Sequence, residues 1–236
     1  MNIALVLAGG TGSRLGADTP KQYLEVDNRM IISYCLETFL VSDYIDKIQV
    51  VADRNWHEIV CKEMDAMESA TGKNKFCGFS DPGANRQLSI YNGLRDILEY
   101  ADTEDKVMVH DGARPLLSET LIEKCFIAGE GHDGVMPVLP MKDTVYMSED
   151  GKVVSKLLRR ENVFAGQSPE VFVLGKYYDA CEMLLPGRIM SINGSTEPAI
   201  MAGMDIAMVD GDENNFKITT AVDLEKFCNI IKSRTQ

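Results

Sequence analysis

The chain has 236 residues, of which 45% are hydrophobic and 25% are charged, so its size and composition fit one folded α/β domain and exclude a disordered chain. Its 24 basic and 36 acidic residues give a net charge of -12, which argues against nucleic acid and anionic membranes as partners. Any phosphate site must therefore be a local basic pocket.

Five short apolar runs predict strands, at residues 2–8, 47–52, 106–111, 134–140 and 206–210. Each run is apolar almost throughout, as in strands that are buried on both faces of a sheet. Amphipathic stretches between and after them predict helices, at about residues 31–41, 56–70, 85–100, 118–129 and 220–233. This alternation predicts an α/β fold with a mostly parallel, Rossmann-like sheet flanked by helices.

Residues 142–160 interrupt the alternation. Two β-leaning runs flank Glu149-Asp150-Gly151, a turn signal that is typical of a hairpin. We expect this segment to protrude from the sheet as a β-arm. Because the chain has no Ser/Gly-rich linker, internal repeat or low-complexity tract, we expect a single domain over residues 1–236.

The cysteines and the first residues bear on the cellular compartment. Six cysteines are spread along the chain without a Cys-x-x-Cys pair, and three histidines lack the spacing of a zinc site. The first predicted strand begins without the basic leader of a secretory signal, and no apolar run reaches the roughly 20 residues of a membrane span. We therefore expect reduced cysteines and a cytoplasmic location.

A glycine-rich loop from Ala8 to Gly16 follows the first predicted strand. Backbone N–H groups of such a loop can bind phosphates at the carboxyl end of a strand. The loop lacks the Lys-Ser/Thr of a P-loop, and Pro20 interrupts the helix that a dinucleotide-binding loop must open. Arg14 and Lys21 place two cations at the loop, which favours a nucleoside triphosphate.

The loop and the segment that follows it, Pro20-Lys21-Gln22-Tyr23-Leu24, resemble the signature of nucleotidyltransferases. Further blocks extend the resemblance to the cytidylyltransferases of sugar-alcohol phosphates, the methylerythritol-phosphate and ribitol-phosphate families. These blocks are NRQLSIYNGL (85–94), HDGARP (110–115), KDT (142–144), QSP (167–169) after Arg160, and NFKIT (215–219). They lie in family order over nearly the whole chain and are specific only together.

The resemblance implies transfer of CMP from CTP to a polyol phosphate, with Mg²⁺ as the cofactor and pyrophosphate as the second product. It assigns catalysis to Arg14, Lys21 and Lys217. The implied nucleotide-binding residues are Ala8, Gly9, Gly10, Gly12, Gly83, Ser89 and Asp111. Asp111 and Asn215 would hold the metal, although Asn215 also fits ordinary turn chemistry.

The implied acceptor-binding residues are Arg114, Thr144, Arg160 and Ser168. Thr144 and Arg160 lie at opposite ends of the predicted arm, which in the family reaches into a partner subunit. The resemblance therefore implies a homodimer that is held by the arm at about residues 142–160. No general base is needed, because the acceptor phosphate is already an anion.

Departures from the family patterns leave the acceptor open. Leu7-Ala8-Gly9-Gly10 is nearer the ribitol type, whereas HDGARP and KDT are nearer the methylerythritol type. Residues 193–197, NGSTE, replace a Thr-Asp-x-Ala-Ser block whose aspartate organises the acceptor side. We place 2-C-methyl-D-erythritol 4-phosphate, an isoprenoid precursor, first and ribitol 5-phosphate second.

The sequence also leaves open three functions outside this family. An NAD(P)-linked oxidoreductase would depend on the glycine loop alone, and Pro20 and the missing acidic ribose ligand argue against it. A non-catalytic nucleotide-binding protein would not need the intact set of Arg14, Lys21, Asp111 and Lys217. A relative that uses another nucleotide, such as a UTP-dependent sugar-phosphate enzyme, is a further alternative.

Overall fold

The computed structural model describes residues 1–10 and 19–234. In chain order the strands are β1 (Asn2–Leu7), β2 (Glu25–Val26), β3 (Arg29–Met30), β4 (Lys47–Val51), β5 (Phe76–Ser80), β6 (Lys106–Asp111), β7 (Gly134–Pro140), β8 (Tyr146–Met147), β9 (Lys156–Leu157), β10 (Phe164–Gly166), β11 (Glu170–Val173) and β12 (Ile206–Asp210). The α-helices are α1 (Ile31–Val41), α2 (His57–Thr71), α3 (Arg86–Ile97), α4 (Glu119–Ala128), α5 (Leu174–Glu182), α6 (Glu197–Met201) and α7 (Ala221–Arg234).

The central sheet has the strand order β10-β7-β11-β6-β1-β4-β5, and β12 also pairs with β7. The pairs β6-β1, β1-β4, β4-β5 and β7-β12 are parallel, whereas β11 runs antiparallel to both of its neighbours. Helices cover both faces of this sheet. The predicted α/β architecture is therefore confirmed, with β11 and the edge strand β10 running antiparallel to the other strands.

The side chains of β1 explain why its sequence is apolar throughout. Ala4 and Val6 belong to a core with α1, α2 and α4, whereas Ile3 and Leu5 belong to a core with α3 and α5. Successive side chains of a strand point to opposite faces, so a strand between two helical layers buries every residue. Gly93 of α3 lies so close to Leu5 that an added Cβ would stand 2.5 Å from a Leu5 methyl carbon.

Local signals fix where several helices begin. The side chain of Asn85 caps α3 by accepting a hydrogen bond from Leu88 N at 2.8 Å. Ser118 caps α4 in the same way. At the start of α7, Thr220 and Asp223 form a reciprocal pair in which each side chain accepts a hydrogen bond from the other's backbone N–H.

The arm is present as the hairpin of β8 and β9. Tyr146 pairs with Leu157 in antiparallel register, and Asp150 accepts backbone hydrogen bonds within the turn. The side chains of Tyr146 and Leu157 are 58% and 60% exposed, and Val153 at the tip is 68% exposed. The hairpin thus presents an apolar surface that one chain leaves uncovered.

All six cysteines are free thiols. In the part of the chain that the structure describes, no helix is both long and apolar enough to cross a membrane.

Candidate active site

A cavity of about 430 Å³ opens at the carboxyl ends of β1 and β6, two neighbouring parallel strands. This is the edge at which open α/β sheets bind their ligands. Several of the predicted residues line it together: Gly9, Gly10, Lys21, Gly83, Ser89, Asp111 and Lys217. Arg86 lines the same cavity, although sequence analysis gave it no role.

Asp111, the last residue of β6, forms ion pairs with three cationic side chains. Its Oδ1 accepts a hydrogen bond from Arg86 Nε at 3.1 Å, and its Oδ2 lies 3.1 Å from Lys217 Nζ. Arg114 Nε donates to Oδ2 at 3.3 Å. Burial raises the pKa of Asp111, but the three cations outweigh burial and hold that pKa well below its usual range.

The charges at this cavity are predominantly positive. Arg86, Arg114 and Lys217 share one carboxylate, and Lys21 lines the same cavity. The excess of positive charge forms the local basic pocket that an acidic chain needs in order to bind a polyphosphate. Arg14 and Gly12, predicted for the same purpose, lie outside the described residues.

Gln22 and Tyr23 anchor the beginning of the glycine loop. Gln22 Nε2 donates to the carbonyl oxygens of Ala8 at 2.6 Å and of Gly10 at 2.7 Å. The Tyr23 hydroxyl also donates to Ala8 O, and its ring stacks on Trp56 with centroids 4.1 Å apart. Sequence analysis missed both residues, although their place directly after Lys21 was a signal.

Two glycines allow the loops around the cavity to approach closely. A Cβ on Gly9 would stand 2.4 Å from Pro82 Cβ, so the first loop has no room for a side chain there. Gly83 N donates to Ser89 Oγ at 3.0 Å, and that hydroxyl donates to Asn85 O. The Ser89 side chain therefore links the backbone of Gly83 to that of Asn85 and holds this loop in place.

Ser168 lies beneath the site rather than in the cavity lining. Its Oγ accepts a hydrogen bond from Asp111 N at 3.1 Å and lies 3.3 Å from His110 Nδ1. Burial lowers the pKa of His110 to about 4, so the ring is neutral near pH 7. Because the neutral ring donates from Nε2 to Arg114 O at 3.1 Å, its Nδ1 accepts a hydrogen bond from the Ser168 hydroxyl.

Asn215 and Asp111 suit a magnesium ion by their donor chemistry. Asn215 is fully buried, and its Nδ2 donates to Ser168 O at 2.7 Å, but its Oδ1 has no hydrogen-bond partner among the described residues. Mg²⁺ prefers oxygen ligands and is commonly held by one or two carboxylates together with substrate phosphates. Because cations already contact both oxygens of Asp111, a metal would share this carboxylate with them.

The predicted acceptor residues fall into two groups. Arg114 lies against Asp111, and its Nη1 donates to Asn215 O at 2.8 Å. Thr144 and Arg160 are exposed on the arm, outside the cavity lining, where Arg160 donates to Lys142 O. One chain therefore does not bring the two groups together.

Comparisons with known proteins agree with this arrangement. The family model described as "IspD: 2-C-methyl-D-erythritol 4-phosphate cytidylyltransferase" matches residues 2–233. The 2-C-methyl-D-erythritol 4-phosphate cytidylyltransferase of Geotalea uraniireducens is 33% identical over 224 residues, which cover 94% of this chain and 92% of the relative. The bifunctional enzyme IspD/IspF of Paramagnetospirillum magneticum is 31% identical, and the match covers 95% of this chain but only 55% of that longer relative.

A solved structure extends the similarity to the fold. The 4-diphosphocytidyl-2C-methyl-D-erythritol synthase of Anaerococcus prevotii superposes with a TM-score of 0.81 at 25% identity. The superposition covers 98% of this chain and 96% of that one. The chain therefore belongs to the 2-C-methyl-D-erythritol 4-phosphate cytidylyltransferase family, a family of nucleotidyltransferase enzymes.

Proposed function

We propose that the protein transfers CMP from CTP to 2-C-methyl-D-erythritol 4-phosphate and releases pyrophosphate, as a cytoplasmic step of isoprenoid precursor synthesis. The observation that carries this proposal is the cluster of Arg86, Arg114 and Lys217 around Asp111, beside the glycine loop. Such a cluster matches the charge that a triphosphate and an acceptor phosphate bring to one place.

The reaction requires positioning and charge neutralisation more than proton transfer. An oxygen of the acceptor phosphate attacks the α-phosphorus of CTP, the bond to the β-phosphate breaks, and pyrophosphate leaves. Lys21 and Lys217, together with Arg14, would neutralise the charge that develops on the transferred group. His110 is buried, its pKa of about 4 makes it a weak base, and both of its ring nitrogens are hydrogen-bonded within the protein, so the acceptor's own anion serves as nucleophile.

Mg²⁺ is proposed as the cofactor, which would neutralise triphosphate oxygens when bound. Asp111 would hold it, and the free Oδ1 of Asn215 is the second oxygen of suitable chemistry. The Asn215 backbone is held in place because Arg114 and Gln167 both donate to its carbonyl oxygen.

The exposed arm supports a homodimer as the active form. Its apolar side chains, Tyr146, Val153, Val154 and Leu157, are 58–68% exposed in the single chain. A partner that covers this surface would also receive Thr144 and Arg160 from the arm. We propose that the partner is a second copy, so that two chains build each acceptor pocket.

Ribitol 5-phosphate is the second candidate acceptor, because residues 193–197 depart from the methylerythritol pattern. Ser195 stands in the block that usually carries an aspartate, and its hydroxyl donates to Glu170 instead of presenting an acid to the acceptor. The polar groups on the acceptor side therefore differ from the methylerythritol pattern that the resemblance implies.

Pyrophosphate release tests the proposal directly. The protein is incubated with CTP and Mg²⁺ against 2-C-methyl-D-erythritol 4-phosphate, ribitol 5-phosphate and glycerol 3-phosphate in separate reactions. We expect release with the first acceptor alone. Release only with ribitol 5-phosphate would establish the alternative acceptor, and silence with all three would refute polyol-phosphate transfer.

A further inference from the structure

Glu170, the first residue of β11, carries a buried carboxylate that the proposed reaction does not use. The residue is 8% exposed. The Ser195 hydroxyl donates to Oε1, whereas Oε2 is buried without a hydrogen-bond partner among the described residues. A buried carboxylate oxygen without a partner is costly, so this one calls for a compensating charge.

Strand pairing places Glu170 on the same face of the sheet as Asp111. Glu170 lies opposite Val109 of β6, and Val109 and Asp111 are two residues apart on that strand. Because strand side chains alternate between faces, both carboxylates point toward the layer that contains α3 and α5. Phe172, two residues after Glu170, packs into that same layer.

Arg86, the first residue of α3, contacts Asp111 and also lies within the electrostatic influence of Glu170. It contacts Asp111 directly at 3.1 Å, and the charges of Asp111 and Glu170 together raise the pKa of Arg86 against the opposing effect of burial. The guanidinium also lines the cavity. Arg86 is thus held at the nucleotide pocket under the influence of two acids from neighbouring strands.

Ser195 connects this arrangement to the altered block at residues 193–197. The Tyr177 hydroxyl donates to Ser195 O at 2.6 Å, and Gln87 of α3 donates to that same hydroxyl at 3.2 Å. The block is therefore fixed against α3 and β11. Ser195 of this block also hydrogen-bonds to Glu170 of β11.

We propose that Glu170, held by Ser195, is a positioning residue for Arg86. Its role is to hold the Arg86 guanidinium at the pocket. The effect on turnover rests on the proposed function, whereas the pairing of Glu170 with Arg86 does not.

A double-mutant cycle in thermal unfolding tests the pairing without any ligand. The four proteins are the wild type, Glu170→Gln, Arg86→Gln and the double variant. We expect Arg86→Gln to lower Tm by about 4 °C more in the wild-type background than in the Glu170→Gln background. In the wild-type background the buried acid loses its counter-charge, whereas in the other background there is no acid to lose it. Glu182→Gln, an acid of α5 bonded to Tyr178, is the matched control and should combine additively with Arg86→Gln. Additivity with Glu170→Gln as well would overturn the proposal.

The same cycle in steady-state kinetics tests the consequence for the pocket. Glu170→Gln should lower kcat/KM for CTP about tenfold in the presence of Arg86 and by less than about twofold in the Arg86→Gln background. An equal loss in both backgrounds would show a purely structural role and would contradict the proposal.

A milder variant covers the case in which Glu170→Gln does not fold. Ser195→Ala removes the hydrogen bond to Glu170 and should lower kcat/KM about threefold, again only with Arg86 present. Thr196→Val is its matched control, since that hydroxyl contacts Met136 Sδ rather than an acid. If the wild type releases no pyrophosphate, the proposed function fails, while the unfolding cycle still decides whether Glu170 acts on Arg86.

Discussion

Lys217 and Arg86 reach the same carboxylate from segments far apart in the sequence. Both contacts to Asp111 are 3.1 Å long. Lys217 lies between β12 and α7, so its ammonium can approach a bound triphosphate while Arg86 and Arg114 still balance the aspartate. In the proposed reaction, Lys217 would therefore act on the ligand, whereas Arg86 and Arg114 would maintain the site.

Replacing Lys217 with Met keeps the length of the side chain and removes its charge. We expect kcat for CMP transfer to fall about 100-fold, because a cation aimed at developing phosphate charge is lost. Folding should persist, since Asp111 keeps two cations. Lys226→Met, which removes a cation stacked on Phe216 outside the cavity, is the control and should leave kcat unchanged. Wild-type turnover in Lys217→Met would contradict the assigned role.

The lowered pKa of His110 leads us to expect that the folded protein loses stability in weak acid. Its pKa in the folded protein is about 4, below the value near 6.5 of an unfolded chain. Between these values the unfolded chain binds the extra proton, so stability that is present above about pH 6.5 is lost progressively as the pH falls to about 4, by about 3 kcal/mol in all. Urea unfolding of the wild type and His110→Gln at both pH values measures this, and the variant should show a flatter dependence. An identical dependence in both proteins would refute it.

The glycine loop depends on the short turn that follows it. Gln22 donates two hydrogen bonds to the carbonyl oxygens of Ala8 and Gly10 at the beginning of the loop, which fixes the backbone there. We expect Gln22→Met to raise KM for CTP about tenfold with a small change in kcat, since the bound geometry is no longer prepared in advance. Gln49→Met removes a buried amide bonded to Ser80, away from the loop, and serves as the control. A rise in KM of equal size in both variants would argue against a local effect.

Strands that lie between two helical layers could be predicted from the sequence, whereas the half-buried strand β5 and the short strand β11 could not. β1, β4, β6, β7 and β12 lie within a residue or two of their predicted bounds, because near-continuous burial leaves near-continuous apolar sequence. β5 escaped prediction because it is half-buried and contains Gly78 at φ +118° with an irregular register. β11 has only four residues and begins with a glutamate.

The site was predictable to the extent that strand ends define it. Asp111 follows a buried strand, so its place at the ligand edge could be expected from the sequence. The ion pair with Arg86 could not, because it depends on how α3 packs on β1, β4 and β5. Glu170 was equally hidden, since a lone acid in a short strand carries no signal until pairing with β6 reveals its face.

In the proposed homodimer, the arm of one chain would bring its predicted acceptor residues to the cavity of the other. In one chain the arm keeps Thr144 and Arg160 away from the cavity, and its apolar surface is exposed. We expect Leu157→Glu to convert a dimer into monomers and to raise KM for the acceptor at least tenfold, with CTP binding unchanged. Light scattering and calorimetry measure both effects. Val222→Glu, at an exposed apolar position on α7, should stay dimeric; a monomeric wild type would contradict the arm-mediated dimer.

A competition assay tests the central claim most directly. CTP, Mg²⁺ and equal amounts of 2-C-methyl-D-erythritol 4-phosphate and ribitol 5-phosphate are incubated with the protein, and the products are identified by mass spectrometry. We expect a cytidine-diphosphate-linked methylerythritol to accumulate in step with pyrophosphate, and Lys217→Met to form almost none. A nucleotide product from neither acceptor, while CTP remains intact, would contradict the assignment of cytidylyl transfer to this site.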